Sequence, residues 1–251
     1  MSQHIQSVIN ATNILKLFSI DTPYLSVTEI ALRTGLSKGA VSKIMATLVS
    51  QDFVKREQQR GFSLGYTVIN LAGVALTKNK IRELMSPILT QVAFDLKEDA
   101  HLAVLDGYDI IYLEKIYSTK HTKAKTILGG RNPAHSTSSG KILLASQNER
   151  FIKALIENGL QAFTEHTITN PLLLEKELKF IRSTGYAMSV EELTEGIASI
   201  AVPIKDYTNK VIASLSIVGS SKVLTRTKMT SLIGYLIKAG KTASEQLGYY
   251  K

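Results

Sequence analysis

The 251-residue chain contains no cysteine, which excludes disulfides, cysteine-based zinc sites and any thiol nucleophile. That lack fits a reducing compartment. It also has no apolar run near the ~20 residues that a membrane-spanning helix needs. Its first residues, Met1-Ser2-Gln3-His4-Ile5-Gln6, have neither the basic start nor the apolar core of a signal peptide. The expectation is a cytoplasmic protein with no membrane partner. Internal repeats and low-complexity tracts are absent as well. No G-x-S-x-G nucleophile elbow occurs, and the five histidines show no paired metal-ligand spacing. Gly140-Lys141 hints at a phosphate loop, but Ile142 replaces the required Ser or Thr and His135 stands where the first glycine belongs. His101 and His135 are read as hydrogen-bonded structural residues, and Glu191, Glu192 and Glu195 as a solvated acidic turn. We therefore expect no catalytic residues, no metal and no cofactor.

What is present is a substantial apolar fraction, 44%, enough for each of two modest domains to bury a core. The formal net charge is +9, and it is unevenly spread. Residues 1–80 carry nine Lys and Arg against four Asp and Glu. A basic surplus concentrated in one segment is the electrostatic footprint of a polyanion binder.

The same segment has the pattern of a winged helix-turn-helix. Val8, Ala11, Leu15 and Phe18, with Ile14 alongside, recur at helical spacing before Asp21-Thr22-Pro23 ends the run. Ser26-Val27-Thr28-Glu29 has the form of a capping box. A short helix comes next with Ile30, Ala31 and Leu32 as its apolar face, and Gly35 stops it. Ser37 is placed to cap a third helix with the stripe Val41, Ile44, Met45, Leu48 and Val49. Phe53–Arg56 and Phe62–Leu64 flank a polar stretch ending in Gly61, which reads as a β-hairpin. In such a unit the third helix enters the major groove with its N-terminal residues nearest the base edges. Those residues are Ser37, Lys38, Gly39, Ser42 and Lys43, and Arg60 tips the wing. Lys can bond guanine O6 or a phosphate, and Ser tolerates several bases. Gly39 and Ala40 leave room for a deep approach. The plainer alternative is a three-helix unit used only for protein contacts.

Beyond it, a connecting helix is expected from Tyr66 to about Lys80. A second runs through Ile81, Leu84, Met85, Ile88, Leu89, Val92 and Leu96, with Pro87 kinking or restarting it. Leu102–Leu105 and Ile110–Ile116 flank Asp106-Gly107-Tyr108-Asp109 as a hairpin. Helical segments near Ser139–Ala145, Glu149–Asn158 and Leu172–Thr184 precede strands at Ile200–Ile204 and Val211–Val218, and a last helix covers about Thr227–Leu247. The fold class is α+β, with helices around an antiparallel sheet. The expected division is 4–66 for the winged helix-turn-helix, 67–80 for the linker helix and 81–251 for a second domain.

The sequence resembles the IclR family of bacterial regulators over nearly its whole length. The stretches that carry the likeness are Leu25–Lys38, Phe62–Gly65, His101–Gly107, Tyr112–Lys115, His135–Lys141, Gly185–Ala187, Gly196–Ala201 and Ser214–Ser216, in family order. The resemblance implies a GAF-like C-terminal domain that binds a small organic acid or aromatic effector. It also implies homodimers, often pairing into tetramers on operator DNA, and repression or activation of a nearby catabolic operon, with repression the expectation here. Family effector positions map to Ser138 and Ser139, in a loop opening a helix, and to Ser189, Ser199 and Ser216. Helix capping by Ser138 is the plainer role there. The position of Ser189 is commonly Asp in the family, that of Ser199 often Cys, and Val218 stands where Ser is frequent. These departures suggest a sugar acid or another polar carboxylate. Two other classes remain beside this reading: an enzyme or sensor whose helix-turn-helix serves protein contacts, and an architectural DNA binder without a ligand.

Overall fold

The computed structural model describes residues 4–77, 79–118, 124 and 126–250. Met1–Gln3, Lys78 of the expected linker and Lys251 lie outside the described residues. The chain forms two compact units, one ending at Lys78 and the other beginning at Asn79.

In the first unit α1 (Gln6–Leu15), α2 (Val27–Thr34) and α3 (Lys38–Ser50) precede a hairpin, β1 (Val54–Glu57) and β2 (Gly61–Leu64), and then α4 (Tyr66–Thr77). The capping box at α2 is complete. Ser26 Oγ accepts from the Glu29 amide at 3.2 Å, and Glu29 Oε2 accepts from the Ser26 amide at 2.7 Å. Gly35 ends the helix at φ 72°, where a side chain would be strained. Ser37 Oγ then accepts from the Ala40 amide at 3.2 Å and starts α3. Val41, Met45 and Leu48 meet Ile14, Leu25 and Ile30 in the core, closed by Val54 and Phe62 of the hairpin. Leu25 and Phe62 exchange both backbone hydrogen bonds, at 3.0 and 2.9 Å, which ties the wing to the chain just before α2.

The structure corrects three expectations. Leu32 is 84% exposed, because it lies about 200° around the helix from buried Ile30. Val8 is exposed while Ile14 is buried, so α1 turns a different stripe inward. Phe18 lies beyond the end of α1 and packs from the loop.

The second unit is built from α5 (Lys80–Leu96), β3 (Asp99–Asp106), β4 (Asp109–Ile116), β5 (Arg131–Pro133), a 3-10 turn at Ala134–Ser136, α6 (Ser138–Ala145), α7 (Glu149–Glu157), α8 (Pro171–Thr184), β6 (Ala187–Val190), β7 (Ile197–Lys205), β8 (Val211–Ser220) and α9 (Arg226–Gln246). The strands form one antiparallel sheet in the order β5-β4-β3-β8-β7-β6. Alternation along the strands gives it two different faces. Leu102, Ile200, Val202, Leu215 and Ile217 pack with Met85, Leu89 and Val92 of α5 and Met229 and Leu236 of α9. The other face carries Ala103, Ala187 and Ala201 and meets α6, α7 and α8. Pro87 does not restart α5, which runs on through it. Asn79 caps the helix a full two turns earlier, and Met85 and Leu89 hold both sides of the proline in the core.

Replacing the capping serine should be felt in the first unit. Ser26→Ala is expected to lower stability by about 1 kcal/mol, read as an earlier midpoint in chemical unfolding followed on the helix-turn-helix.

Candidate nucleic-acid interface and effector site

The N-terminal end of α3 is open to solvent. Ser37, Lys38, Gly39, Ser42 and Lys43 are all exposed, while Val41 and Met45 anchor the opposite face. The first turn holds no acidic residue, and among the described residues no carboxylate pairs with Lys38 or Lys43. Two uncompensated cations therefore stand at the positive end of a helix dipole, an arrangement suited to phosphate. A methyl group added at Gly39 would meet nothing within 4 Å, so space inside the protein does not require glycine there. Arg60 lies in the hairpin turn as expected, with its guanidinium 5.2 Å from the centre of the Tyr24 ring. That stacking turns it toward the loop before α2.

In the second unit the sheet register brings the serines together. Cross-strand partners share a face, so the pairings of Asp99 with Val218, Val218 with Ser199 and Ser199 with Ser189 define one row across β3, β8, β7 and β6. The next row on that face runs Lys115, His101, Ser216, Ala201 and Ala187. The start of α6 lies on these rows. Ser138 Oγ donates to Ser199 Oγ at 2.7 Å, and Ser139 Oγ donates to Ser216 Oγ at 2.9 Å. Ser189 Oγ donates to the Ser136 carbonyl at 3.3 Å. All five serines are buried. Sequence positions up to 78 apart thus converge on one helix end, at Ser138 and Ser216.

Ser138 does not cap α6. Thr137 does, its Oγ1 accepting from the Gly140 amide at 3.0 Å while its carbonyl accepts from the Lys141 amide at 2.9 Å. The reason is positional: Thr137 has the extended backbone of a cap residue and Ser138 is already helical. The amides of Ser138 and Ser139 are left outside these bonds, at the positive end of the helix.

Reading the sequence missed a buried ion pair beneath this end. Lys141 is 1% exposed; its Nζ lies 2.7 Å from Glu192 Oε1 and 3.2 Å from Glu177 Oε1. Glu192 is therefore no part of a solvated turn. Burial pushes its carboxyl above the ordinary range, with Lys141 and, more weakly, Ser189 opposing the shift. The hydroxyls of Thr164 and Thr167 donate to the carbonyls of Glu191 and Glu192, both at 2.6 Å, and pin the same segment. The one local signal is Gly140-Lys141, and nothing in its spacing announces a buried lysine.

The two buried histidines have separate partners. His135 Nε2 bonds the Gln161 carbonyl at 2.9 Å. His101 is wholly buried, with Nε2 3.2 Å from Thr126 Oγ1 and its ring edge-on to Tyr112. Burial first, and the Lys115 charge second, hold its pKa down at about 3, against the pull of Asp99. Among the described residues no group of three His, Asp or Glu could hold a metal ion, and no helix is long and apolar enough to cross a membrane.

Residues 7–58 match the IclR helix-turn-helix domain, and residues 73–245 match the bacterial transcriptional regulator IclR C-terminal domain. The chain is 31% identical over 248 residues to the HTH-type transcriptional regulator XynR of Escherichia coli, covering 98% of each. An IclR transcriptional regulator from Alicyclobacillus acidocaldarius has the same fold, with TM-score 0.84 and 28% identity over 98% of this chain and all of that one. An IclR homologue from Microbacterium hydrocarbonoxydans, solved in complex with 4-hydroxybenzoate, shares the fold at 22% identity, TM-score 0.81 and coverage of 96% and 99%.

These environments have two testable consequences. Lys43→Ala should weaken specific duplex binding by ~1–3 kcal/mol if it reads a base. Gly39→Ala should leave the free protein as stable or slightly more so yet weaken DNA binding where the helix approaches the bases; gel-shift titration beside thermal unfolding checks both. The second concerns pH. Because His101 binds its proton less readily folded than unfolded, its contribution to stability is complete above pH 6.5 and is lost as pH falls toward about 3. Urea unfolding at stepped pH should show a shallower loss over that window in His101→Gln.

Proposed function

Because the chain belongs to the IclR family of DNA-binding transcriptional regulators, which are not enzymes, we propose that it represses a catabolic operon and is controlled by a small organic acid. In this reading residues 4–66 bind operator DNA, 67–80 link, and 81–251 hold the effector, the protein acting as a homodimer that pairs into tetramers on DNA. Ser37, Lys38, Gly39, Ser42, Lys43 and Arg60 are the DNA contacts.

The observation that carries the effector reading is the convergence of Ser138, Ser139, Ser189, Ser199 and Ser216 on the N-terminus of α6. A carboxylate there would accept from the amides of Ser138 and Ser139 and from hydroxyls that otherwise bond one another. The helix dipole adds attraction. Exchange of Ser–Ser bonds for bonds to an anion favours the ligand, since charge-assisted bonds are roughly twice as strong as neutral ones. Serine at positions 189 and 199 adds no carboxylate to this end, and the one beside Ser189, Glu192, is paired with Lys141, which suits a sugar acid or similar polar acid. The 4-hydroxybenzoate held by the Microbacterium homologue supports an acid bearing a further hydroxyl.

The test is a gel shift on the DNA upstream of the protein's own coding sequence, with and without catabolic acids, beside a thermal-shift screen of the same acids. A true effector at a hundred times its dissociation constant stabilises by about 2.7 kcal/mol and alters DNA occupancy. Ser189→Asp should weaken an anionic effector through like-charge repulsion. An affinity for acid that does not change in calorimetry would remove Ser189 from the site.

A further inference from the structure

The serine site is one end of a longer polar row. Ser216 on β8 pairs with His101 on β3, and His101 pairs with Lys115 on β4, so the three side chains stand next to one another on the face that meets α6. His101 is buried there, and Lys115 is half-buried with its side chain 4% exposed. Lys115 Nζ donates to Thr126 Oγ1 at 2.8 Å and to the Thr126 carbonyl at 3.0 Å, with Asp99 Oδ2 at 3.8 Å.

This network assigns the proton on His101. Thr126 Oγ1 accepts from Lys115, so its own hydrogen is free to donate to His101 Nε2 at 3.2 Å. A neutral imidazole that accepts at Nε2 carries its hydrogen on Nδ1. Nδ1 is buried and, among the described residues, has no hydrogen-bond partner. A buried donor without an acceptor bears the full cost of its desolvation, and native interiors rarely retain one without a use.

We propose that the effector site continues from the serines through His101 toward Lys115, and that it takes an acid whose far end carries a second oxygen function, a hydroxyl or carboxylate, accepting from His101 Nδ1–H. The inference rests on the reading of the serines as the carboxylate end and adds the specificity residue for the other. Beyond the imidazole, Lys115 and Asp99 form an ion pair whose side chains are buried, a polar surrounding that suits an oxygen-rich end better than a methyl.

Three six-carbon acids separate the ends: hexanoate, with a methyl terminus, adipate, with a second carboxylate, and gluconate, with hydroxyls. Calorimetry on the full-length protein is expected to give tighter binding of adipate or gluconate than of hexanoate, by about tenfold or more. His101→Leu should abolish that preference while leaving hexanoate where it was. His101→Gln, which keeps a donor, should restore part of it, and Ser216→Ala should weaken all three. Unfolding without ligand checks that each variant folds, and His101→Phe replaces the leucine variant if that one does not. Equal affinity for the three acids in the unsubstituted protein overturns the proposal before any variant is made. A preference that survives His101→Leu overturns it too, and a buried water on Nδ1 is then the better account. Loss of binding in the Ser216 variant alone leaves the serine reading standing without its extension. If none of the three acids binds at millimolar concentration, both readings fall together.

Discussion

The start of α6 lies against the sheet only because almost nothing stands between them. A Cβ at Gly140 would collide with the carbonyl and Cα of Ala134, and the strands beneath offer Ala103, Ala187, Ala201 and serines in place of large side chains. At that separation hydroxyls of the helix reach hydroxyls of the strands directly, Ser138 to Ser199 and Ser139 to Ser216. A larger residue at any of these positions would lift the helix and separate the amides of Ser138 and Ser139 from the polar rows. Close approach is the constraint, and the serine cluster is its consequence.

The same closeness governs the rest of α6. Lys141 comes one residue after the glycine and cannot reach water from there. An unpaired ammonium at such depth is too costly, so Glu192 and Glu177 meet it. A buried ion pair of this kind contributes little net stability, but breaking it is expensive. Its value lies in position. It holds the segment after β6, which Thr164 and Thr167 also grip, at a defined distance from the helix end. The N-terminal end of α3, the proposed DNA contact, is built by opposite means. Its lysines are exposed and uncompensated, free to give up water and counterions to a polyanion.

Local chemistry is legible from neighbouring residues alone. The Ser26–Glu29 capping box, the left-handed stop at Gly35, the Ser37 cap and the turn at Gly107 each depend on residues within a few positions. Helix faces are harder to read where a helix is short. In α2 one residue of error moves a side chain by about 100°, enough to turn Leu32 from solvent to core. The short strands β5 and β6 offer no period to detect, being three and four residues long. Thr137 and Ser138 have nearly the same capping chemistry, and only backbone angles show which of them is the cap.

The sequence by itself determined the two-part plan, the basic front segment, the exposed end of the recognition helix and, through its resemblance, which serines belong to the effector domain. These are properties of neighbours in the chain or of patterns spread along it. Tertiary structure alone decided that Ser216 lies beside His101, that Lys141 is buried on two carboxylates, and that one imidazole nitrogen has no partner among the described residues. Each of these depends on strand register, and register is settled by the burial of whole faces. A shift of one residue would turn Ser216 and His101 into the opposite core without altering a single local preference.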